Sequence, residues 1–559
     1  MRGPRLRRGP LVLIGEERRM TQNPPTAETL GSVFEYLFQS SDISMWTISW
    51  PPDAFCFVAT ALQRSSAYTA LVGTGKPRLD FKHAQEDREE ALEAIGRKWR
   101  AAAGKSKLPP PVVRKWLEIV RSNRALPLTA LGRRKQVLAA LLNILAAADE
   151  ACAGLGISLT STDDDEFTRI SESQLFPMEN GSTLCKRIHP SKARVLPKCH
   201  TAQTGLTIRS FSHFLALVAT TEISPQWYSF CAETSDHALN LLLVPWPNRI
   251  IPKQFRATER HRMTDDVERG AYGMFTFDPV GPLRSDVIRK LVGAAEKTVG
   301  RIDGVVIPEL GLTPRSVEQI SKAVVREDRF LIAGVGQPAQ EGTSGENYIR
   351  FDVMLPGGEY CATLKQEKHH RWKLDKNQIM QYGIGSILNP QANWWEHIDV
   401  KDRCLMLVTL KPWLTVCVLI CEDLARPDPL GDLVHSVGPN LLICLLMDGP
   451  QLSSRWPGRY ATTFADDPGC SVLTLTSAGM ANLSRPSSGA SAPSGCIALW
   501  KDARSGGAKE ITLPAGADAV VLSAAVEYCE EWTVDGRGDG GNAGHPYLVG
   551  QHPIRLDKI

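Results

Sequence analysis

The stretch Val416-Cys417-Val418-Leu419-Ile420-Cys421-Glu422-Asp423 is an unbroken apolar run that ends at a cysteine followed by two acidic residues. A short, β-branched run of this kind is a fully buried strand. Leu424-Ala425-Arg426-Pro427 follows, the chain turns sharply at the strand's end, and a helix is expected to start near Pro429. A thiol at such a strand end is positioned on rigid backbone. To act as a nucleophile it needs a nearby base or positive charge. The bland alternative is one more buried cysteine, and Cys417 and Cys444, which lie inside apolar runs, fit that alternative.

Working outward, short apolar runs recur on both sides. Cys404–Leu410 precedes the quoted stretch, with Lys411–Trp413 as a turn. Leu441–Leu446, Ser471–Thr476, Cys496–Trp500 and Ala519–Leu522 follow it. Upstream, Leu239–Val244, Val305–Ile307 and Leu331–Val335 read as strands. Val353 and Leu355 belong to another, which is expected to pair with Tyr360–Leu364. Helical spacing appears between them. Ser285 can cap a helix carrying Val287, Leu291, Ala295 and Val299, and Thr313 caps one that begins at Pro314. Strands alternating with helices specify an α/β domain, and the hairpin-like pairs make its sheet mixed.

Two further places carry chemistry. Val305-Val306-Ile307-Pro308-Glu309-Leu310 runs an apolar strand into a carboxylate, and Lys365-Gln366-Glu367-Lys368-His369-His370 follows the strand at Tyr360–Leu364. Alone, each reads as a surface turn. In order, Glu309, Lys368 and Cys421 are separated by about 60 and about 50 residues, each at or just past a strand end. Here the chain resembles the nitrilase (carbon–nitrogen hydrolase) superfamily over roughly residues 238–532. The matching features are Pro308-Glu309, Lys368-His369-His370 and Cys421-Glu422-Asp423. The resemblance implies a nitrilase-like αββα sandwich that commonly dimerises through its helices. It implies Cys421 as nucleophile, Glu309 as general base and Lys368 as the oxyanion-stabilising partner, with Lys365 a competitor for the last role. Glu309 would take the thiol proton, and Cys421 would attack an amide, nitrile or carbamoyl carbon of a small-molecule substrate. This chemistry needs no metal or organic cofactor. The family's usual second Glu after the Lys is not evident, and Asp375, Gln378 and Gln381 are the nearby polar residues. Trp372, Tyr382, Trp394, Trp395 and Trp456 can line a pocket, or pack a core. A sensor or scaffold module built on the same domain, with an N-terminal partner-binding region, is the alternative reading.

The remaining sequence is less specific. Hydrophobic residues are 43% and charged residues 22% of the 559, which is globular composition. A net charge of +3 does not specify a polyanion partner. Thirteen scattered cysteines fit a reducing cytoplasm better than a disulfide framework. The expected organisation is a leader at 1–25, Arg-rich and with an apolar stretch too short for a signal peptide, then a helical region at 26–155. Val113, Trp116, Leu117 and Val120, and Val137, Leu138, Leu141, Leu142 and Leu145, carry the helical spacing. A basic connecting region at 156–237 follows, read as a surface loop docking on its neighbour. Its cations leave nucleic acid as a weakly supported partner. Cys185, His189, Cys199 and His200 lack a zinc knuckle, and adjacent ligands diverge, so no metal site is read there. The hydrolase-like domain spans 238–532, with Ala481–Gly495 a loop, and a Gly-rich edge leads into a tail at 533–559.

Overall fold

The computed structural model describes residues 27–71, 85–157, 165–176, 181–219, 222–231, 237–258, 272–279, 281–355, 358, 360–484 and 494–556. The expected leader, the acidic Asp163 and Asp164, and most of the Ala481–Gly495 loop lie outside them.

Six helices open the chain: α1 (Leu30–Phe38), α2 (Pro51–Ser65), α3 (Gln85–Gly104), α4 (Pro111–Ser122), α5 (Lys135–Glu150) and α6 (Glu166–Leu175). The strands β1 (Arg194–Pro197), β2 (Leu215–Val218), β3 (Ser224–Ser229), β4 (Ala238–Leu243), β5 (Phe255–Thr258) and β6 (Tyr272–Phe277) follow. Next come α7 (Ser285–Val299), β7 (Gly304–Leu312), α8 (Pro314–Val324), β8 (Phe330–Gln337), β9 (Glu346–Met354), β10 (Cys361–Glu367), β11 (Lys373–Leu374), α9 (Lys376–Gln381) and β12 (Asn393–Glu396). The last part holds β13 (Cys404–Lys411), β14 (Leu414–Ile420), α10 (Asp432–Val437), β15 (Leu441–Leu446), α11 (Trp456–Asp466), β16 (Ser471–Thr476), α12 (Ala478–Leu483), β17 (Cys496–Lys501), β18 (Lys509–Thr512), β19 (Ala519–Cys529) and β20 (Ala543–Ile554).

Two seven-stranded mixed sheets stack face to face. One has the order β10-β9-β8-β7-β4-β19-β20, the other β18-β17-β16-β15-β14-β13-β3. In each, the central strands are parallel: β4, β7 and β8 in the first, β14, β15 and β16 in the second. Side-chain alternation explains why both faces are apolar. Val305 and Ile307 pack outward against Ile288 and Leu291 of α7 and Val317 and Ile320 of α8. Val306 between them points to the other face and belongs to a separate, larger core that also takes in β14 and β15 of the opposite sheet. With α11 against β16 and β17, the domain is an αββα sandwich. Thr313 caps α8, and its hydroxyl accepts from the Ser316 amide. Ser285 is the first helical residue of α7 rather than its cap, and Arg284 holds the cap position without a side-chain bond.

The ends of this domain differ from the sequence reading. The expected tail carries β20, twelve residues paired antiparallel with β19 along its whole length. Its Gly-rich approach is not an edge: Arg537 is 1% exposed, forms ion pairs with Asp149 and Glu150 of α5, and donates to the Phe211 carbonyl at 2.8 Å. Glycines there signal tight turns rather than a loose terminus, and positive φ at Gly536, Gly540 and Gly541 shows why. β3, expected outside the domain, is the edge strand beside β13.

The basic connecting region is also not a surface loop. Arg194, His200 and His213 are buried, and β1 pairs with β2. Asp53 of α2 accepts the backbone amides of Lys186 and Arg187, Lys186 stacks over Trp50, Arg187 over Phe38, and Arg209 pairs with Asp467. These cations tie the helical region to the sandwich, and one continuous apolar core runs from Leu30 to Leu548. No helix among the described residues is long and apolar enough to cross a membrane.

Candidate active site

Cys421, Glu309 and Lys368 come together at one end of the sandwich, and the local backbone explains how. β14 ends at Ile420, and Cys421 takes a left-handed φ of 46° before a short helical turn over Cys421–Ala425. A non-glycine residue in that region is uncommon and is held there by its surroundings. On the facing sheet, the register between β7 and β8 slips between Ile307 and Leu312, and Leu310 has a φ of 52°. This irregularity turns Glu309 out of the ladder. It also needs Gly334 of β8, because a Cβ there would lie 2.4 Å from the Glu309 Cα.

Lys368 follows β10 and is 1% exposed. Its Nζ donates to Glu309 Oε1 at 2.8 Å and to Glu396 Oε2 at 2.7 Å. Asn347 of β9 donates its Nδ2 to both carboxylates, at 2.8 Å each. The Trp372 amide donates to Glu396 Oε2 at 3.0 Å. One ammonium thus serves two buried carboxylates. Burial opposes the charge on Lys368, but Glu309 and Glu396 outweigh it and hold its pKa well above the usual lysine range. Burial, with the nearby charge of Glu396, raises Glu309, and Lys368 only partly offsets this. Burial also pushes the Cys421 thiol well above its ordinary range, with Glu309 adding to the effect and Lys368 opposing it. Cys421 therefore rests as a thiol next to a carboxylate with raised proton affinity. Glu309 Oε2 is buried and has no hydrogen-bond partner among the described residues.

The residues after Lys368 lock this geometry to the cysteine turn. Asp423 accepts from the His369 amide at 3.2 Å and lies 3.3 Å from His369 Nδ1 and 2.8 Å from His370 Nδ1. Burial would raise Asp423, but the two imidazoles overcome it and hold the carboxyl at about 2. Gln366 adds a clamp across the sandwich, donating to the Val418 carbonyl at 2.9 Å and accepting from the Met406 amide at 2.8 Å. Lys365 stays at the surface, paired with Glu346 and Glu367, and takes no part.

Glu396 is the group that the sequence reading lacked. It lies on β12, beyond Asp375, Gln378 and Gln381, none of which touches Lys368 among the contacts described. The separation is long because the chain between them builds a cap, in which β11 and β12 join β5 and β6 in a four-stranded sheet. The available signal was Trp394-Trp395-Glu396, an aromatic strand ending in a carboxylate like Ile307-Pro308-Glu309. In this cap Trp372 and Tyr382 are buried, packed with Phe255, Phe275 and Leu310.

Away from this site, His200, Glu531 and His545 cluster closely enough to suggest metal ligands. Their geometry is that of a hydrogen-bond network. Glu531 Oε1 lies 3.0 Å from His200 Nδ1 and 3.2 Å from His545 Nε2, and the two rings stack with centroids 4.3 Å apart.

No protein-family model matches the chain, and no curated protein matches it. Among solved structures it is similar to Saccharomyces cerevisiae Nit3, a member of branch 10 of the nitrilase superfamily, at 13% identity. That match covers 52% of this chain and 92% of Nit3 with a TM-score of 0.30. It is also similar to a Nesterenkonia AN1 amidase from the nitrilase superfamily, at 11% identity, 52% and 92% coverage and a TM-score of 0.29. A third is the C. elegans NitFhit protein, at 11% identity, 51% and 60% coverage and a TM-score of 0.31. At these values the chemistry has to be argued from the residues themselves.

Proposed function

We propose that the chain is a hydrolase acting on a non-peptide carbon–nitrogen bond, in an amide, nitrile or carbamoyl compound, through a Cys421 thioester. The observation that carries this reading is the buried cluster of Glu309, Lys368 and Glu396 beside a thiol held in a left-handed turn. Glu309 Oε2, which has no other partner among the described residues, takes the Cys421 proton as the sulfur attacks the substrate carbon. Negative charge builds on the substrate oxygen or nitrogen, and Lys368 with the Glu422 backbone N–H stabilises it. In an amide or carbamoyl compound Glu309 returns the proton to the leaving nitrogen and the C–N bond breaks to leave the thioester; a nitrile gives a thioimidate, to which one water adds before ammonia leaves to form the same thioester. Water, deprotonated by Glu309, then attacks the thioester and releases the acid and the Cys421 thiol. Glu396 acts through Lys368 and is a positioning residue.

The test is ammonia release from a panel of amides, nitriles and carbamoyl compounds, with wild type beside Cys421→Ala. Release that disappears in the variant supports the reading. If no compound releases ammonia and Cys421 also resists a small thiol alkylator, the hydrolase reading falls and a sensor or scaffold module takes its place.

A further inference from the structure

Asp448 is an acidic group of this site that the hydrolysis does not use. It lies two residues past the end of β15, which pairs in parallel with β14, the strand that delivers Cys421. The ends of these two strands are neighbours, so Cys421 and Asp448 leave the sheet side by side. Asp448 is 6% exposed, and its two oxygens are unequal. Oδ1 accepts from the Tyr382 hydroxyl at 2.9 Å and from Arg455 Nη2 at 3.0 Å. Arg455 spends its Nη1 on the Pro450 carbonyl. Oδ2 is buried and has no partner among the described residues. A buried carboxylate oxygen without a donor is unfavourable, and a bound ligand that donates there removes the deficit.

The local charge selects the kind of donor. Glu309, Glu396 and Asp448 carry three negative charges against the two positive charges of Lys368 and Arg455. A cation is therefore favoured over a neutral donor, and an anion is disfavoured. We propose that Asp448 Oδ2 receives an ammonium group of the substrate, so that the substrate is a compact primary amide with an aliphatic amine a few bonds from the scissile carbon. Adjacent strand ends suit a short aliphatic spacer between the amide and the amine. Cys421 is only 3% exposed and Oδ2 is closed off from water, so entry parts the surrounding side chains and bulky substrates are excluded. The inference rests on the hydrolase reading.

The test compares kcat/KM for ammonia release from γ-aminobutyramide, valeramide and succinamate, which present an ammonium, a methyl and a carboxylate at similar reach. The expected result is a preference for γ-aminobutyramide over valeramide of at least ~100-fold, with succinamate poorer still. In Asp448→Asn that ratio should fall at least ~10-fold. Binding of the same three compounds to Cys421→Ala, by calorimetry, gives the ranking without relying on the Asp448 variant. Valeramide or succinamate used as well as the amino amide overturns the ammonium site and leaves the hydrolase standing. Release from other members of the wider panel but from none of these three has the same meaning. Release from nothing at all removes both readings.

Discussion

Replacing Glu396 by Gln keeps the side chain's shape and removes one of the two carboxylates on Lys368. Two effects can be worked out. Glu396 Oε1 accepts from Asn347 and Oε2 from Lys368 and Trp372, so all the groups facing it are donors. A Gln amide brings a donor of its own, and at least one buried donor loses its acceptor, at about 1–3 kcal/mol. That loosens Lys368 and should lower kcat/KM by roughly 10–100-fold. The second effect is electrostatic. Two oxygens at 2.7 and 2.8 Å from one tetrahedral ammonium are about 4.5 Å apart, and at an effective dielectric near 20 the carboxylates repel by about 3–4 kcal/mol. Burial and this repulsion both raise Glu309. With the repulsion gone, Glu309 ionises at lower pH. The wild-type acid limb of kcat/KM should lie above the ordinary Glu range, and in Glu396→Gln it should move to lower pH. The assay is kcat/KM against pH on any amide that wild type turns over, paralleled by the pH dependence of Cys421 alkylation. A limb that does not move, or moves up, with kcat/KM within about threefold of wild type, would refute the coupling of the two carboxylates through Lys368.

Other perturbations follow from the same contacts. Gly334→Ala puts a methyl group 2.4 Å from the Glu309 Cα; the base shifts, and kcat/KM should fall about 100-fold while a thermal melt shows a folded protein. Unchanged activity would mean that β7 yields without moving Glu309. Arg537→Ala leaves Asp149 and Glu150 without their buried cation and should cost about 3–5 kcal/mol in urea unfolding; a loss below about 1 kcal/mol would separate the helical region from the stability of the sandwich. Asp423 is depressed from 3.8 to about 2 in the folded chain, so its contribution is fully present above the unfolded pKa and disappears as pH falls through the folded value. Wild type should exceed Asp423→Asn by about 2 kcal/mol more at about pH 5 than at about pH 2, and a gap independent of pH would contradict the imidazole contacts.

The strands at the centre of both sheets were legible because their burial is intrinsic to the run itself. Leu414–Ile420 and Leu441–Leu446 are almost wholly apolar runs and, with Ser471–Thr476, are buried on both faces, as doubly covered strands are. Arg187–Arg209 misled for the opposite reason. Charge suggests solvent, yet Arg187 is held against Phe38 and Arg209 against Asp467, partners far away in the chain, and Lys198 donates to the carbonyls of Arg209 and Ser212. β20 was hidden by His, Pro and Gly that lower its apparent strand character; it forms because β19 offers a partner edge.

By itself, the sequence determined the strand-and-helix alternation of an α/β domain with a mixed sheet and the chain order of Glu309, Lys368 and Cys421, because hydrophobic period and turn residues are local properties. Tertiary structure alone decided that these three meet, that Glu396 and Asn347 complete the cluster, that Lys368 rather than Lys365 enters it, and that one Asp448 oxygen has no partner among the described residues. Those outcomes depend on which side chains share a buried volume, and hence on which charges must be paired when water is removed. No local pattern of residues records that.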